Sequence, residues 1–434
     1  MLITQATLLT GRVADVRVAE TIQAVAERLT PIPGEDVVDA RRALLIPGLH
    51  DHHVHLRAAA AAAGSVQVGP PQVRDRAGLI RALADATVDG DGWIRAVGYH
   101  DSVAGPLDRA ALDAIAPAVP VRVQHRSGVL WTLNSLGLNL VGLREHPDGR
   151  LRSADTGWAD TLTRRDAGVP VLGDRLAAFG ITGITDATPD LSATDAYKLT
   201  ERLPHYVHRL SPGKRILHDD RLDLDELTGW VRVTHTGGSP VALHCVTVAQ
   251  LVVAMAALRE AGTHPGDRLE HAAMVPDDCL PDLATLGATV VTQPNFVAER
   301  GDEYLAEIPA DDIAQLWRVR SLLDAGIRVA LSTDMPFGAA DPWAAMRAAV
   351  HRETTSGTVL GPAECVSPRT ALAMFLGTAV DPARPRTVAP GQPGDLCLLA
   401  APLEVVLAEL DADAVVTTII RGSTVHAQPG TSIR

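Results

Sequence analysis

Short apolar runs rich in β-branched residues recur along the chain, and most are separated by longer stretches whose apolar positions repeat with a helical period. Such runs predict β-strands, and the stretches between them predict helices. Because parallel strands need a crossover of this kind, the order predicts an α/β fold with parallel strands. The predicted strands are 46–56, 180–186, 205–210, 214–218, 241–244, 268–271, 288–293 and 328–334.

The helical pattern is clearest at 248–261 and 314–325. One connection does not fit it. Only residues 211–213 separate the third predicted strand from the fourth, whereas a parallel crossover takes about a dozen residues. Either the strand arrangement is irregular at this point, or one of the two strands is misassigned.

Two regions lie outside this rhythm. Both ends of the chain hold short β-type runs interrupted by Gly and Pro, within 1–43 and again at 391–400 and 414–422, which predicts a small β unit. The region from about 60 to 170 forms an insert without regular alternation. Inside the insert we expect helices at 58–63 and 107–115 and strands at 93–98 and 119–124.

Composition narrows the class of protein. A chain of 434 residues is long enough for one large domain and a smaller one, and 46% hydrophobic with 21% charged residues is ordinary for a globular protein. The formal net charge of −13 argues against nucleic acid or an anionic membrane as a partner. No apolar run reaches the roughly 18 residues that span a bilayer, and four scattered cysteines indicate a reducing compartment. We therefore expect a cytoplasmic protein.

The first predicted strand carries four histidines within six positions, in the segment Ile46-Pro-Gly-Leu-His-Asp-His-His-Val-His-Leu56. Side chains alternate across a strand, so His53 and His55 share one face with Asp51, and His50 and His52 point to the other. Two neutral imidazoles on one face make a metal pincer. The alternative is a surface run of histidines in a turn.

Polar residues also end three later strands: His244, His271 and Asp334. A single histidine at a strand end is more often a core residue than a ligand. Five polar side chains at the ends of predicted parallel strands are stronger evidence for a site than a single histidine, because those strand ends meet at one edge. The sequence thus predicts a metal site built from residues far apart in the chain.

The segment Pro47-Gly-Leu-His-Asp-His-His-Val-His55 resembles the Pro-Gly-x-x-Asp-x-His-x-His opening of the amidohydrolase superfamily, and Ser332-Thr-Asp-Met-Pro336 resembles its Ser-Asp-x-Pro segment. The resemblance implies a (β/α)8 TIM barrel at 44–385, with the insert at about 60–170. It also implies that 1–43 and 386–434 are the two halves of a β-sandwich. Many relatives carry a histidine in the insert where this chain has Val129.

The same resemblance implies the metal ligands, which are His53, His55, His244, His271 and Asp334, and implies Asp334 and His271 as catalytic residues. A divalent metal, zinc first, would lower the pKa of bound water towards about 7 and polarise the substrate carbonyl. Asp334 would take the proton of that water and pass it to the leaving group.

A lysine that carries CO2 bridges the metals in two-metal relatives, and Lys214 is the candidate here. Counting back from Asp219-Asp220 puts Arg215 at that position instead, and an arginine cannot bridge in this way. One metal and two metals both stay open, and the count slightly favours one.

Substrate contacts are expected from the loops after strands seven and eight, with Asn295, Arg300, Asp302 and Trp343 as candidates. The predicted activity is hydrolysis of a non-peptide or cyclic amide in a small molecule. The alternatives are a one-metal deaminase of a ring amidine and a catalytically silent scaffold of the same fold. No nucleic acid or membrane partner is expected, and a homo-oligomer is left open.

Overall fold

A computed structural model describes residues 1–116, 118–152, 157–158, 162, 168–189 and 191–429. The chain divides into two compact units, one made of 1–56 with 170–434 and the other of 57–169. Parts of the predicted insert and residues 430–434 of the predicted C-terminal half-domain lie outside the described residues. Within the described ranges, no helix is long and apolar enough to cross a membrane.

Strands from both ends of the chain lie in one eight-stranded sheet of the larger unit. Its core side chains come from both ends, with Ile3 and Val16 packed in the same cluster as Leu396 and Ile419. The strands from the two ends of the chain are joined by β5 (Leu44–Pro47), which pairs in parallel with β1 (Leu2–Leu8) and antiparallel with β19 (Leu396–Leu399). The strands are β1 (Leu2–Leu8), β2 (Val13–Val18), β3 (Ile22–Ala26), β4 (Val37–Asp39), β5 (Leu44–Pro47), β19 (Leu396–Leu399), β20 (Val415–Ile420) and β21 (Ser423–Ala427).

All eight predicted parallel strands are confirmed as strands, arranged in two parallel sheets. One sheet has the order β13-β12-β6 and the other β14-β15-β16-β17-β18. Both faces of such strands are covered, so their sequences are nearly continuous apolar or β-branched runs, as in Thr289–Thr292. The strands are β6 (Leu49–Val54), β12 (Ile181–Asp186), β13 (Tyr206–Arg209), β14 (Lys214–Ile216), β15 (Ala242–Cys245), β16 (Arg268–His271), β17 (Thr289–Thr292) and β18 (Arg328–Leu331).

The two parallel sheets meet at the carboxyl ends of β6 and β18. The Asp334 amide donates to the His53 carbonyl at 3.0 Å, and the His55 amide donates to the Met335 carbonyl at 2.8 Å. At the other side, no ladder joins β13 to β14 within the described residues. Both segments are strands, so neither was misassigned, and the arrangement is irregular at their short connection.

Helices follow most of these strands. The start of α9 is fixed by a capping box, in which the Thr247 side chain accepts from the Gln250 amide and Gln250 bonds back. The helices of the larger unit are α6 (Val169–Ala178), α7 (Ala193–Thr200), α8 (Leu224–Thr236), α9 (Val248–Ala261), α10 (Leu280–Leu286), α11 (Asn295–Glu307), α12 (Ala310–Ile313), α13 (Arg320–Asp324), α14 (Pro342–His351), α15 (Pro368–Ala373) and α16 (Leu403–Glu409). Short 3₁₀ turns lie at Asp219–Arg221, Asp277–Cys279, Pro362–Glu364 and Ala412–Ala414.

The predicted helix 314–325 is wrong in its extent. The chain leaves helical geometry at Trp317, whose φ is +49°, and its amide donates to the Ala273 carbonyl at 2.8 Å. The Gln315 carbonyl accepts from the Val275 amide at 3.0 Å. Bonds to a neighbouring segment therefore replace the helical bonds of this stretch.

The smaller unit has its own five-stranded sheet, in the order β11-β10-β9-β8-β7. Its core packs Leu79 and Leu112 against Ile94 and Val121. The strands are β7 (Val66–Gln67), β8 (Ile94–Tyr99), β9 (Val121–His125), β10 (Leu130–Leu133) and β11 (Arg150–Arg152), and the helices are α1 (Leu56–Ala63), α2 (Arg76–Ala84), α3 (Asp101–Ala104), α4 (Arg109–Ile115) and α5 (Ser135–Leu140). The strands and helices predicted within the insert are thus present.

Candidate metal centre

The two histidines of the predicted pincer, His53 and His55, come together with Asp334 at the end of β6. The distance to Asp334 Oδ1 is 3.6 Å from His53 Nε2 and 3.5 Å from His55 Nε2. One ligand atom from each of the three residues lies within 4.8 Å of the others. Among the described residues, it is these three whose side-chain atoms converge closely enough to hold a metal ion.

Asp334 is held in an unusual backbone conformation, with φ at +55°. Such a conformation is rare for residues other than glycine, and the surroundings must enforce it. Here the Asp51 carboxylate accepts from the Thr333 amide at 3.1 Å and from the Thr333 hydroxyl at 2.5 Å. Asp51 therefore fixes the residue before Asp334, and burial raises the pKa of Asp51 to about 6 despite the bonds from Thr333.

His271 lies beside this group. Its ring centroid is 4.7 Å from that of His53, and Nδ1 is 4.0 Å from Asp334 Oδ2. Nδ1 also lies 2.8 Å from Gln293 Oε1, and the Gln293 amide donates to the Ser332 hydroxyl at 2.8 Å. This chain of bonds fixes the proton on Nδ1 and leaves Nε2 free to bind.

His244 is the outermost of the predicted ligands. Its ring centroid is 4.5 Å from that of His271, in an edge-on contact. Its nitrogens are not part of the converging group formed by His53, His55 and Asp334. The structure thus brings all five predicted side chains into one cluster, and the ligand atoms of His53, His55 and Asp334 converge within it.

Lys214 points to the cluster and Arg215 points away from it. Lys214 is 5% exposed, and its Nζ has no hydrogen-bond partner among the described residues. Burial lowers the pKa of Lys214 to about 8, opposed by the carboxylates of Glu270 and Asp334. Arg215 instead pairs with Glu226 at 2.5 Å and covers the Trp230 ring.

The count from Asp219-Asp220 was therefore wrong about Arg215. Adjacent side chains in β14 point to opposite sides of the sheet. Lys214 pairs with Ala242 of β15, and this register places Lys214, not Arg215, on the side of the cluster. The two aspartates belong to the following 3₁₀ turn, Asp219–Arg221, so their spacing from the strand says nothing about its register.

A buried ion pair between Arg268 and Glu270, which no sequence pattern predicts, supports His53. Glu270, fully buried, accepts a hydrogen bond from His53 Nδ1 through Oε2. Arg268 donates to Glu270 Oε1 at 2.7 Å and to the His52 carbonyl at 2.6 Å. A carboxylate behind a histidine sets its tautomer and orientation, which leaves His53 Nε2 directed at Asp334. The only signal in the sequence was the Glu-His pair at the end of β16.

The cluster fits a divalent metal ion. Burial lowers the pKa of His55 and His271 to about 3 and those of His53 and His244 well below the usual value, so the imidazoles are neutral. His53 Nε2 and Asp334 Oδ1 are buried without a hydrogen-bond partner in the part of the chain that the structure describes. Unpaired buried polar atoms are costly, and a cation between them would satisfy both. Neutral imidazoles with a carboxylate suit zinc.

Two of the predicted substrate residues lie beside the Asp334 segment, on α11. The region was expected to be a loop, but Phe296, Val297 and Gly301 are buried along one side of a helix. Asn295 donates to the Thr333 carbonyl at 3.1 Å, and its Oδ1 has no partner among the described residues. Arg300 donates to the Phe337 carbonyl at 2.5 Å.

The other two predicted substrate residues have different surroundings. Asp302 accepts hydrogen bonds from the hydroxyls of Thr354 and Ser356, both at 2.6 Å, which ties α11 to that loop. Trp343 is fully buried in α14, and its Nε1 donates to the Phe179 carbonyl at 2.9 Å. These positions do not support a substrate contact by either residue.

The sequence matches the model of a family described as "Amidohydrolase family" over residues 36–426. N-substituted formamide deformylase of Arthrobacter pascens is 24% identical over 457 aligned residues, covering 84% of this chain and 83% of that protein. A metal-dependent hydrolase of Pyrococcus horikoshii OT3, described as uncharacterized, superposes with a TM-score of 0.73 at 17% identity, over 94% of this chain and 98% of that one.

Atrazine chlorohydrolase TrzN of Arthrobacter aurescens TC1, solved in complex with zinc, gives a TM-score of 0.59 at 15% identity, over 98% of this chain and 95% of that one. At such identities the solved structures show a shared fold and nothing more about chemistry.

Proposed function

Because this chain belongs to the amidohydrolase family, we propose that it is a metal-dependent hydrolase that cleaves a non-peptide carbon–nitrogen bond of a small molecule. The observation that carries the proposal is the convergence of His53, His55 and Asp334 on one point. Neutral imidazoles beside a buried carboxylate support a metal site, because a cation would supply the partner that His53 Nε2 and Asp334 Oδ1 lack among the described residues.

We assign the metal to His53, His55, His244, His271 and Asp334, with zinc as the first choice. When bound there, a divalent ion activates a water molecule and polarises the substrate carbonyl. Lys214 is the candidate for a second-metal bridge, because its Nζ is buried among the ligands and its lowered pKa leaves more of the neutral amine that CO2 requires.

The protein side chains have separable tasks in this proposal. Asp334 Oδ1 has no hydrogen-bond partner among the described residues and lies between two imidazoles, so it is placed to accept a proton and deliver it to the leaving nitrogen. Glu270 and Gln293 orient His53 and His271. Asn295 contributes a free amide oxygen beside the Asp334 segment.

The first substrates to test are N-substituted formamides, which the name of the Arthrobacter pascens relative suggests. Other linear amides, cyclic amides and ring amidines complete the panel. Metal-loaded protein should release the substituted amine from an amide, with a stoichiometric carboxylate as the second product. Release of ammonia from an intact ring would support the deaminase alternative instead.

A catalytically silent scaffold is the remaining alternative. It is disfavoured because all five candidate ligands are retained and clustered. Absence of turnover across the whole panel, with metal bound in stoichiometric amount, would support the scaffold and refute the hydrolase.

The finer architecture belongs to the same proposal. We propose that the eight parallel strands are those of a (β/α)8 barrel, open between β13 and β14, within residues 44–385. We propose that 1–43 and 386–434 form a β-sandwich domain and that the protein acts in the cytoplasm on a small molecule, without nucleic acid or membrane. All four cysteines are free, which suits that compartment.

A further inference from the structure

A second cavity lies at the opposite ends of the strands from the metal cluster. It has a volume of about 640 Å³, within the range of small-molecule sites. Its walls come from the starts of β6, β12 and β13 and from the β19–β20 part of the terminal sheet. Among the described residues that line it, none belongs to the metal cluster. From His50 in its wall to His55, the strand advances roughly 16 Å at about 3.3 Å per residue.

The cavity lining includes a buried guanidinium, that of Arg386. Arg386 is 9% exposed, donates from Nε to the Leu376 carbonyl at 3.1 Å, and donates from Nη2 to the Gly48 carbonyl. Nη1 has no partner among the described residues and is not sealed from the cavity. Two backbone carbonyls thus hold the cation in place while part of it stays available to a ligand.

His205 lines the same cavity and is an unsatisfied polar group. It is 3% exposed, and both ring nitrogens are buried without a hydrogen-bond partner that meets full bonding geometry among the described residues. Burial lowers the pKa of His205 to about 4, so the ring is neutral and offers one donor and one acceptor. Both nitrogens are closed off in the cavity, so the ring lines the pocket beside Arg386 as a neutral surface.

Exposed aromatic and aliphatic side chains lie at the mouth of the cavity. Tyr197, Tyr206 and Val380 are 63%, 54% and 73% exposed, and all three line it. The chain has only four tyrosines, so two of them at one mouth are a marked concentration. Exposed aromatic and aliphatic side chains around a polar pocket are typical of binding sites.

We propose that this cavity binds a small monocarboxylate with an apolar body, the carboxylate on Arg386 beside His205 and the body against Tyr197, Tyr206 and Val380. Arginine is suited to a carboxylate because its planar group makes two parallel charge-assisted bonds. Asp395 also lines the cavity. It accepts a hydrogen bond from the Arg421 amide at 2.9 Å, and its charge partly opposes the lowering of the Arg386 pKa by burial. Glu20 and Glu201 lie at the exposed rim.

The probe is 3-phenylpropionate, with its neutral amide and 2-phenylethylamine as comparisons, titrated calorimetrically into full-length protein. Metal-loaded protein is used, and the titration is repeated with the His55→Ala variant, in which binding at this cavity should be unchanged because it does not depend on the metal cluster. We expect the carboxylate to bind about tenfold or more tightly than the amide, as a charge-assisted bond implies. Preference for the amine, or no binding of the carboxylate, would overturn the proposal.

Two surface variants locate the binding. Val380→Asp places a like charge at the mouth and should weaken carboxylate binding about tenfold, without disturbing the core. Val233→Asp is the matched control, because Val233 is also 73% exposed but lies on α8 away from the cavity. Equal affinities in the two variants would place the ligand elsewhere and refute the site.

Discussion

His53 donates a hydrogen bond from Nδ1 to Glu270 Oε2, although the two residues are 217 positions apart in the chain. Both side chains are fully buried, and Arg268 holds the other side of the carboxylate. The bond fixes which nitrogen of His53 is free, and that nitrogen faces Asp334. The orientation of one proposed metal ligand therefore depends on a carboxylate outside the converging group of His53, His55 and Asp334.

Glu270→Gln should lower metal affinity by about tenfold to 100-fold, because the neutral amide orients His53 less firmly and weakens its basicity. The measurement is a competition titration with a chelator of known zinc affinity. Glu226→Gln serves as the control, since Glu226 also pairs with an arginine but lies on the surface. Unchanged zinc affinity in a folded Glu270→Gln protein would contradict the role of Glu270.

His55→Ala should lower bound metal and hydrolysis together, because His55 Nε2 is one of three converging ligand atoms. Metal content by elemental analysis and turnover should fall in parallel. His52→Gln is the comparison, since His52 lies in the same strand but stacks on His50 instead of facing the cluster. Thermal unfolding must be followed as well, because a bound metal contributes to stability. Full metal occupancy in His55→Ala would break the proposed site.

The strand pattern could be predicted from the sequence because buried parallel strands are continuous apolar runs, and all eight were located. The ends of those strands also gave His53, His55, His244, His271 and Asp334. The register between neighbouring strands could not be predicted from the sequence. Lys214 and Arg215 are neighbours of similar character, and only the pairing of β14 with β15 decides which one faces the cluster.

Glu270 shows a second limit. A glutamate in an apolar strand has no sequence signal that names its partner, since His53 lies in a strand far away along the chain. The segment from Asn295 shows a third limit, because its polar residues favoured a loop, whereas it is a helix with four buried positions. Local pattern thus predicted elements better than it predicted contacts.

Whether Lys214 is carboxylated distinguishes a two-metal site from a one-metal site. If it is carboxylated, native mass spectrometry should show an added CO2 and about two metals per chain, and bicarbonate should speed recovery of activity after metal removal. Lys214→Met should then lose the second metal, whereas Arg215→Met should not, because Arg215 faces Glu226. An unmodified Lys214 with one metal per chain would retire the bridged site.

Trp343 tests the assignment of a core residue. Trp343→Phe removes the bond from Nε1 to the Phe179 carbonyl and leaves a small void, so it should destabilise the protein by about 1–3 kcal/mol. The measurements are urea unfolding and steady-state kinetics on the same preparation. KM should stay within about twofold of the parent value. A large rise in KM with unchanged stability would restore Trp343 as a substrate contact.

The proposed hydrolysis depends on the carboxylate of Asp334. Asp334→Asn keeps the shape and leaves the imidazoles to hold the metal, but an amide cannot accept the proton. Hydrolysis should therefore fall about 100-fold to 10,000-fold, the usual loss when general acid–base help is removed, while much of the metal stays bound. Asp324→Asn, which changes an exposed carboxylate paired with Arg320, should leave turnover unaltered. If Asp334→Asn turned over at a near-normal rate, the proton would have another carrier, and His271, 4.0 Å from Asp334 Oδ2, would be the next residue to change.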